Sequence, residues 1–431
     1  MITALLICLV VLMLILGAPL FVIIIAATLI GFSSAEVDLS IIAIELYRIA
    51  DTPLLLTLPL FTFAGYILSE SKTSERLLQL TQTFFGWMPS GLAVVAVISC
   101  AIFTALTGAS GITIVALGAL LLPALIKAGY NEKFSLGLVT TTGSLGLLLP
   151  PSIPLILYGI IVQQMNLGQE FDLEELFLAG LLPAALMIIL LSVWVVWNNR
   201  HIKIEKIPFS INNAVSAIRD SIWELPLPFF VIGGIFSGIF AISEIAAVTA
   251  LYVLIIEIFI YREIRFSQLP KITVDAMQMV GGILLILGVS LAFTSFLIDA
   301  EVPTILFEWI REHIDSKLTF LILLNIFLLL LGAILDIFSA LIIMVPLIVP
   351  VALGYGIHPL HLGVIFLANM QIGYFTPPVG MNLFIASYRF QRPITELYKA
   401  TLPFMFVLLT AVLIITYVPE LSTWFIETPE K

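Results

Sequence analysis

Long apolar blocks separated by short polar stretches run the length of this chain. Blocks such as 4–31, 176–197 and 399–418 reach the ~20 apolar residues that a membrane-crossing helix needs. Spans are predicted near 3–31, 53–69, 134–165, 176–197, 226–241, 243–260, 274–298, 358–390 and 399–418. Two further apolar stretches, 91–127 and 317–353, must each enter and leave on one side if the polar links are to alternate consistently. They are predicted as re-entrant hairpins facing opposite ways, although two tight full spans would give the same hydropathy. Residues 71–88 and 299–316 are amphipathic, with Leu77, Leu80, Phe84 and Trp87 at helical spacing in the first. They suit interfacial helices along each membrane face, or ordinary loop helices packed on the protein. The polar link 198–225 is too short for a soluble domain.

Proline pairs interrupt this pattern twice. Pro150-Pro151 and Pro377-Pro378 lie 227 residues apart, and Pro123/Pro350, Gly129/Gly356 and Gly146/Gly373 share the spacing. Proline removes an amide donor and clashes with the preceding turn. Freed backbone groups survive in lipid only where protein buries them or a cavity receives them. The chain therefore reads as two related halves of opposite orientation, each with a helix broken at the same place. Such paired breaks mark the binding region of secondary transporters. The expected fold is an all-α polytopic membrane protein of inverted repeats, with two re-entrant hairpins and two broken helices.

Charge orients the chain. The links at 70–90, 127–133, 198–225, 261–273 and 389–399 hold 14 of the 18 Lys and Arg residues. Cytoplasmic loops carry such an excess, so this side is read as cytoplasmic. Arg48, Arg311, Lys317 and Lys431 fall on the other side, whose loops are acidic (Glu36, Asp38, Glu45, Asp51) or uncharged. The chain is 61% hydrophobic and only 11% charged, against about 25% charged in soluble domains. Cys8 and Cys100 sit in apolar runs and suggest neither a disulfide framework nor a metal cluster. The first apolar run lacks a basic flank and is too long for a cleaved signal, so it is read as a retained helix.

Four polar features stand inside apolar sequence. FTALTGASGIT (103–113) forms the tip of the first hairpin, with Thr104, Thr107, Ser110 and Thr113. TTTGSLGLLLPPSIP (140–154) is where the next helix should unwind. Carbonyl and hydroxyl oxygens turned inward there would suit a small hard cation such as Na⁺. Close packing through small residues gives the same composition. LLGAILDIFSA (330–340) and ANMQIGYFTPPVGMN (368–382) are the counterparts, with Thr376 at the place of Leu149. Asp336 could ligate a cation, carry a proton or cap a half-helix at the second tip. Glu244 is expected to cap its span, and Glu257 to pair or snorkel near a span end. His201, His313, His358 and His361 are expected in loops or interfacial segments. With no Walker A sequence, GxSxG elbow or cysteine pair, enzymatic chemistry and direct ATP use are not expected. Nothing points to nucleic acid.

Taken together, LPLFTFAGYIL (58–68), the TGASG tip, AGY (128–130), LGLLLPPSIP, GGIFSGIFAISEIAAV (233–248) and GYFTPPVGMN (373–382) carry a resemblance. The chain resembles the large membrane subunit, DctM type, of tripartite ATP-independent periplasmic (TRAP) transporters over nearly its whole length. TGASG departs from the more serine-rich tip of that family, which bears on the ligand at Thr107. The resemblance implies an elevator transporter of the bacterial inner membrane. Residues 1–90 and 166–316 would form the scaffold with its two arm helices. Residues 91–165 and 317–395 would form the transport domain, and 396–431 a C-terminal helix. One Na⁺ site would use Thr107 with Gly146, Leu149 and Pro151. The other would use Gly332 to Asp336 with Gly373, Thr376 and Pro378. Ser110, Ser144, Asn369, Gln371 and Asn382 are the candidate substrate contacts. The implied partners are a small four-helix membrane subunit and a soluble periplasmic binding protein, both expected as separate polypeptides.

The substrate class implied is organic acids: C4-dicarboxylates, sialic acid or other sugar acids. No arginine is deep enough to fix a carboxylate, Arg389 lying toward the cytoplasmic end of its span. A stand-alone Na⁺- or H⁺-coupled divalent-anion symporter of elevator type is the alternative within transport. A channel, scaffold or polytopic membrane enzyme is the alternative outside it; of intramembrane carboxylates only Asp336 and Glu244 stand out.

Overall fold

A computed structural model describes residues 10, 12–13, 16, 18–35, 38–50, 52–165, 167, 171–201, 209–237, 240–314 and 316–425. Every regular element among them is helical. Eight helices are long and apolar enough to cross a membrane, or nine if the bent pair Glu132–Leu148 and Ile153–Gln164, angled by 41°, counts as one span. The protein is thus a multi-pass membrane protein.

The two halves repeat element by element. The first hairpin has a leading arm Gly91–Thr107 and a trailing arm Ser110–Lys127; the second has Lys317–Ile334 and Ile337–Gly354. The first broken helix joins Glu132–Thr142 to Ile153–Gln164, the second Pro359–Gly373 to Met381–Phe390. Both proline pairs are joined by cis peptide bonds.

Contacts between the broken helices show the inversion. Ser144 Oγ donates to the Gln371 carbonyl at 3.1 Å, and these positions are separated by the repeat spacing of 227. At one end of the crossing Arg392, just past the second helix, pairs with Glu132, which opens the first. At the other, Tyr158 of the first donates to Pro359 O, which opens the second, at 2.6 Å. The broken helices therefore run antiparallel and cross at equivalent residues. Each trailing hairpin arm packs on the second segment of the other repeat's broken helix. Gly111 and Gly118 lie against Ile385 and Phe390, for instance.

The predicted interfacial segments form helices Thr73–Phe85 and Val302–His313. The first is bolted by one cation to residues 224–263. Arg76 forks onto Glu224 at 2.5 and 2.9 Å, reaches Glu263 at 2.6 Å and Glu257 at 3.5 Å, and lies 3.9 Å over the Tyr261 ring. Thr73 donates to Glu224 and Glu257. Glu257 is fully buried and paired, so it does not snorkel. On its other face the arm meets the first hairpin, where the Thr81 and Ser99 hydroxyls lie 2.5 Å apart.

Several expectations need correction. His361 is not in a loop: it sits inside Pro359–Gly373, buried, 3.1 Å from Ser422 Oγ and 3.3 Å from Thr416 O. The acidic loop at 36–51 contains a helix, Ser40–Ala50, on which Glu45 is buried and accepts from Ser295. Within the polar link lies another helix, Ile211–Asp220. The span expected at 226–241 holds only the short helix Pro226–Phe236. Of the first span, Leu20–Ser34 is helical, while residues 1–9, with Cys8, lie outside the described residues.

Candidate functional site

Each hairpin tip is built to touch a break. In the first half, Gly108 ends the leading arm with φ of +69°, a conformation a side chain disfavours, and its amide closes onto Thr104 O at 2.7 Å. Thr104 Oγ1 donates to Gly143 O at 2.8 Å and meets Thr113 Oγ1 at 2.7 Å, tying both arms to the break. Gly146 is pressed onto the leading arm: a Cβ there would sit 2.2 Å from Ala101 O and 2.5 Å from Ala105 N. Thr107 is buried and donates to Phe103 O. Leu149 caps the 3-10 turn Leu145–Leu148, which contains Gly146, and Pro151 is buried two residues on.

The second half repeats the contact without the same chemistry. Gly332 and Gly373 meet backbone to backbone, a Cβ on Gly373 falling 2.5 Å from Gly332 Cα. Gly332 and Gly373 stand one repeat spacing beyond Ala105 and Gly146, so the tip-to-break contact is duplicated. At this tip Asp336 caps the trailing arm, its Oδ1 accepting from the Phe338 and Ser339 amides at 3.0 Å each. Of the three readings of Asp336, the cap is the one with visible bonds. The Tyr374 hydroxyl accepts from the Ile337 amide at 2.8 Å, joining tip to break. Thr376 donates to Ile372 O, and Pro378 is exposed with its carbonyl accepting from Tyr398.

Because both tips rest on the middle of a broken spanning helix, each hairpin enters and leaves on one side. This is the re-entrant arrangement.

A cavity of about 470 Å³ lies between these tips and two helices outside the hairpins and broken helices. Gly108, Ser110 and Ile112 of the first tip, with Phe338 and Tyr374, line one wall. Tyr66, Glu70, Asp275 and Met279 of those helices, Thr57–Glu70 and Leu269–Asp299, line the other. Gly65 lets the first of those helices ride against the Thr107 backbone, where a Cβ would sit 2.7 Å from Thr107 O.

Of the five predicted substrate contacts, only Ser110 lines this cavity. Ser144, Gln371 and Asn382 are fully buried behind it at the helix crossing, where Asn382 donates to Thr140 O at 3.3 Å. Asn369 is drawn elsewhere: it donates to Asn325 Oδ1 at 2.6 Å, in a network that also holds Thr416. Buried side-chain atoms of Thr141, Gln371 and Asn382 lack protein partners at the crossing. Buried polar groups are normally satisfied, so the crossing has spare capacity for a bound polar species.

Three contributors escaped sequence reading. Tyr374 stood in a quoted motif, but its aromatic ring gave no hint that the hydroxyl would tie a tip. Asp275 and Tyr66 come from helices distant in sequence from the tips, and only the fold places them opposite. Among the described residues no group of three or more His, Cys, Asp or Glu side chains is placed to hold a metal ion. A cation at the first break would meet neutral carbonyl and hydroxyl oxygens, and one at the second would also stand near the Asp336 carboxylate; both sets of hard oxygens fit a small hard ion.

A family model described as "Tripartite ATP-independent periplasmic transporter, DctM component" matches residues 6–421. The C4-dicarboxylate TRAP transporter large permease protein DctM of Rhodobacter capsulatus is 33% identical over 402 residues, 91% of each chain. An isethionate TRAP transporter permease protein DctMQ, from Oleidesulfovibrio alaskensis, is 31% identical over 93% of this chain and 62% of that protein. Among solved structures, the Alcanivorax borkumensis YdaH transporter, described as having an unusual topology, covers 84% of each chain with a TM-score of 0.59. Its identity of 13% makes that a likeness of fold alone. With a family match along almost all of its length and inverted repeats in its fold, the chain belongs to the DctM component family of tripartite ATP-independent periplasmic transporters.

Proposed function

We propose that this protein is the large permease subunit of a Na⁺-coupled importer of small organic anions in the bacterial inner membrane. The duplicated contact carries the proposal: Ala105 on Gly146 and Gly332 on Gly373 give two tip-to-break junctions, the second with the Asp336 carboxylate at its tip. Na⁺ enters here as co-substrate, its positive charge offsetting the anion that shares the cavity. Thr107, Gly146, Leu149 and Pro151 would receive one ion, and Gly332, Asp336, Gly373, Thr376 and Pro378 the other. C4-dicarboxylate is the leading substrate class, as in the name of the R. capsulatus relative; the isethionate relative keeps a sulfonate within range. A separate small membrane subunit and a periplasmic binding protein complete the transporter.

In this reading the two hairpins and two broken helices move together along the scaffold. The cavity is walled by Glu70 and Asp275, which adjoin the basic links at 70–90 and 261–273. It therefore faces the cytoplasmic side, as after substrate delivery.

Uptake by the reconstituted complex should need a Na⁺ gradient; equal uptake driven by protons alone would sink the coupling. Cross-linking separates elevator from local gating, once Cys8 and Cys100 are replaced. A bridge inside the moving body, between Gly111→Cys and Ile385→Cys, should leave transport intact. A bridge across the cavity, between Ile112→Cys and Met279→Cys, should abolish it. The reverse pattern would refute rigid-body motion.

A further inference from the structure

The arm helix Val302–His313 and both arms of the second hairpin enclose an apolar groove of about 420 Å³. Ile310 and Trp309 form one wall, Leu324 and Phe327 the second, Met344 and Ile348 the third. No lining residue is charged. The groove runs out onto a stripe of the leading arm, Leu318, Ile322, Ile326, Leu330 and Ile334, each 41–62% exposed. Spacing by four puts these residues on one helix face, and such a face on a spanning segment meets lipid tails.

The polar rim has a distinct chemistry. Arg311 and Lys317 are two of four Lys and Arg residues assigned to the cation-poor side of the protein, one near the end of the arm helix and one at the start of the leading arm. Lys317 is anchored by donating to Gly356 O at 3.0 Å, and Arg311 lies 5.7 Å over the Phe307 ring. Trp309 is 59% exposed and stacks near His313, with ring centroids 4.8 Å apart. An amphipathic aromatic beside cations above an apolar slot is how proteins meet the interface of a bilayer. Glu308 and Glu312 on the same helix add negative charge that a headgroup amine could meet.

The first half packs differently: its arm helix Thr73–Phe85 lies on the leading hairpin arm, and the slot there, about 280 Å³, is also lined by Leu225 of the link and by Pro228 and Phe229 of the helix Pro226–Phe236. By contrast, every lining residue of the larger groove comes from 306–314 or from the second hairpin.

We propose that the second elbow binds one phospholipid, with an acyl chain in the groove and the phosphate held by Arg311 and Lys317. The site lies where an arm helix joins a hairpin. The lipid fills that joint with deformable apolar matter, so the angle between arm and hairpin can change without opening a void.

The test uses the intact complex, purified from bacterial membranes and washed in detergent, with bound lipid counted by native mass spectrometry. Wild type should retain one phospholipid per large subunit, and excess inorganic phosphate should not displace it. Leu323→Trp, at a partly exposed lining position, should lose it. Arg311→Gln and Lys317→Gln should each weaken retention about fivefold, the scale for one basic residue near a headgroup. Both surface variants can be checked for folding by their melting temperature. Stoichiometric lipid that survives Leu323→Trp and both charge variants would overturn the assignment. So would photocross-linking from position 327 that captures a polypeptide instead of lipid.

Discussion

Replacing Gly146 by alanine tests the tip-to-break junction with a single methyl group. That methyl would sit 2.2 Å from the Ala101 carbonyl oxygen, and the groups in its way are main chain, which cannot rotate aside. Relief requires about 1 Å of backbone movement, and overpacking of this kind costs roughly 1–3 kcal/mol. Gly281, on the scaffold helix Leu269–Asp299, is the control, because nothing lies within 4 Å of its Cβ position. There the same change should stabilise by about 0.5–1 kcal/mol through lost backbone entropy. One substitution thus has opposite signs at two sites, about 1.5–4 kcal/mol apart. The assay is thermal unfolding of the purified complex over a Na⁺ titration with choline as the balancing salt. Ligands that bind only the folded state raise its stability by mass action. Gly146→Ala should melt lower and need about tenfold more Na⁺ for half its stabilisation, equivalent to about 1.4 kcal/mol. Gly281→Ala should melt at or above wild type with an unchanged Na⁺ midpoint. A Gly146→Ala protein matching wild type in both readouts would refute the junction as an ion site.

Other substitutions test separate parts of the argument. Arg76→Gln should destabilise by about 3–5 kcal/mol, because buried Glu257 loses its cation; Glu257→Gln in the same chain should restore much of the melting temperature. Asp336→Asn should keep the fold, since an amide oxygen can still cap Phe338 and Ser339, but should raise the Na⁺ concentration for half-maximal uptake, whereas Asp336→Ala should also cost about 1 kcal/mol of stability. An unchanged Na⁺ dependence in the folded Asn variant would remove Asp336 from the second site and leave it as a cap alone. Thr376→Ala should raise the Na⁺ concentration for half-maximal uptake with normal protein level, and an unchanged value would remove its hydroxyl from the second site.

Legibility in the sequence followed how local each cause was. A proline pair breaks a helix wherever it falls, so 150–151 and 377–378 could be placed without knowing any neighbour. The repeat spacing then carried that local fact across the chain and identified the junctions. Side-chain partners are a different matter. Asn369 and Gln371 are two residues apart on one helix, yet that spacing points them to different neighbours, one to Asn325 and one into the crossing. Nothing in ANMQIG distinguishes them, because the distinction lies in which helices arrive on each side. The same holds for His361, whose partners Thr416 and Ser422 come from the far end of the chain. The helix Ser40–Ala50 was hidden by its own charges, since Glu45 suggested solvent until Ser295 supplied a partner.

The repeat is strict in backbone and loose in chemistry, and that asymmetry bears on coupling. Glycine or alanine stands at all four positions of the duplicated contact, where space decides the residue. Around it the halves diverge: Gly108 with a left-handed turn at one tip, and Leu335 in extended conformation followed by the Asp336 cap at the other. Thr376 faces the second break where Leu149 faces the first. Two sites of equal affinity would not require such divergence, whereas two sites that load in sequence would. The first junction, buried and lined by neutral groups, should bind Na⁺ with little dependence on charge in the cavity. By contrast, the second has a half-buried carboxylate at its tip and an exposed Pro378, so its occupancy should respond to the anion that arrives beside it. Na⁺ titrations with and without substrate should therefore show one midpoint that moves and one that stays. Two midpoints moving together would mean that the halves act as a single site despite their different tips.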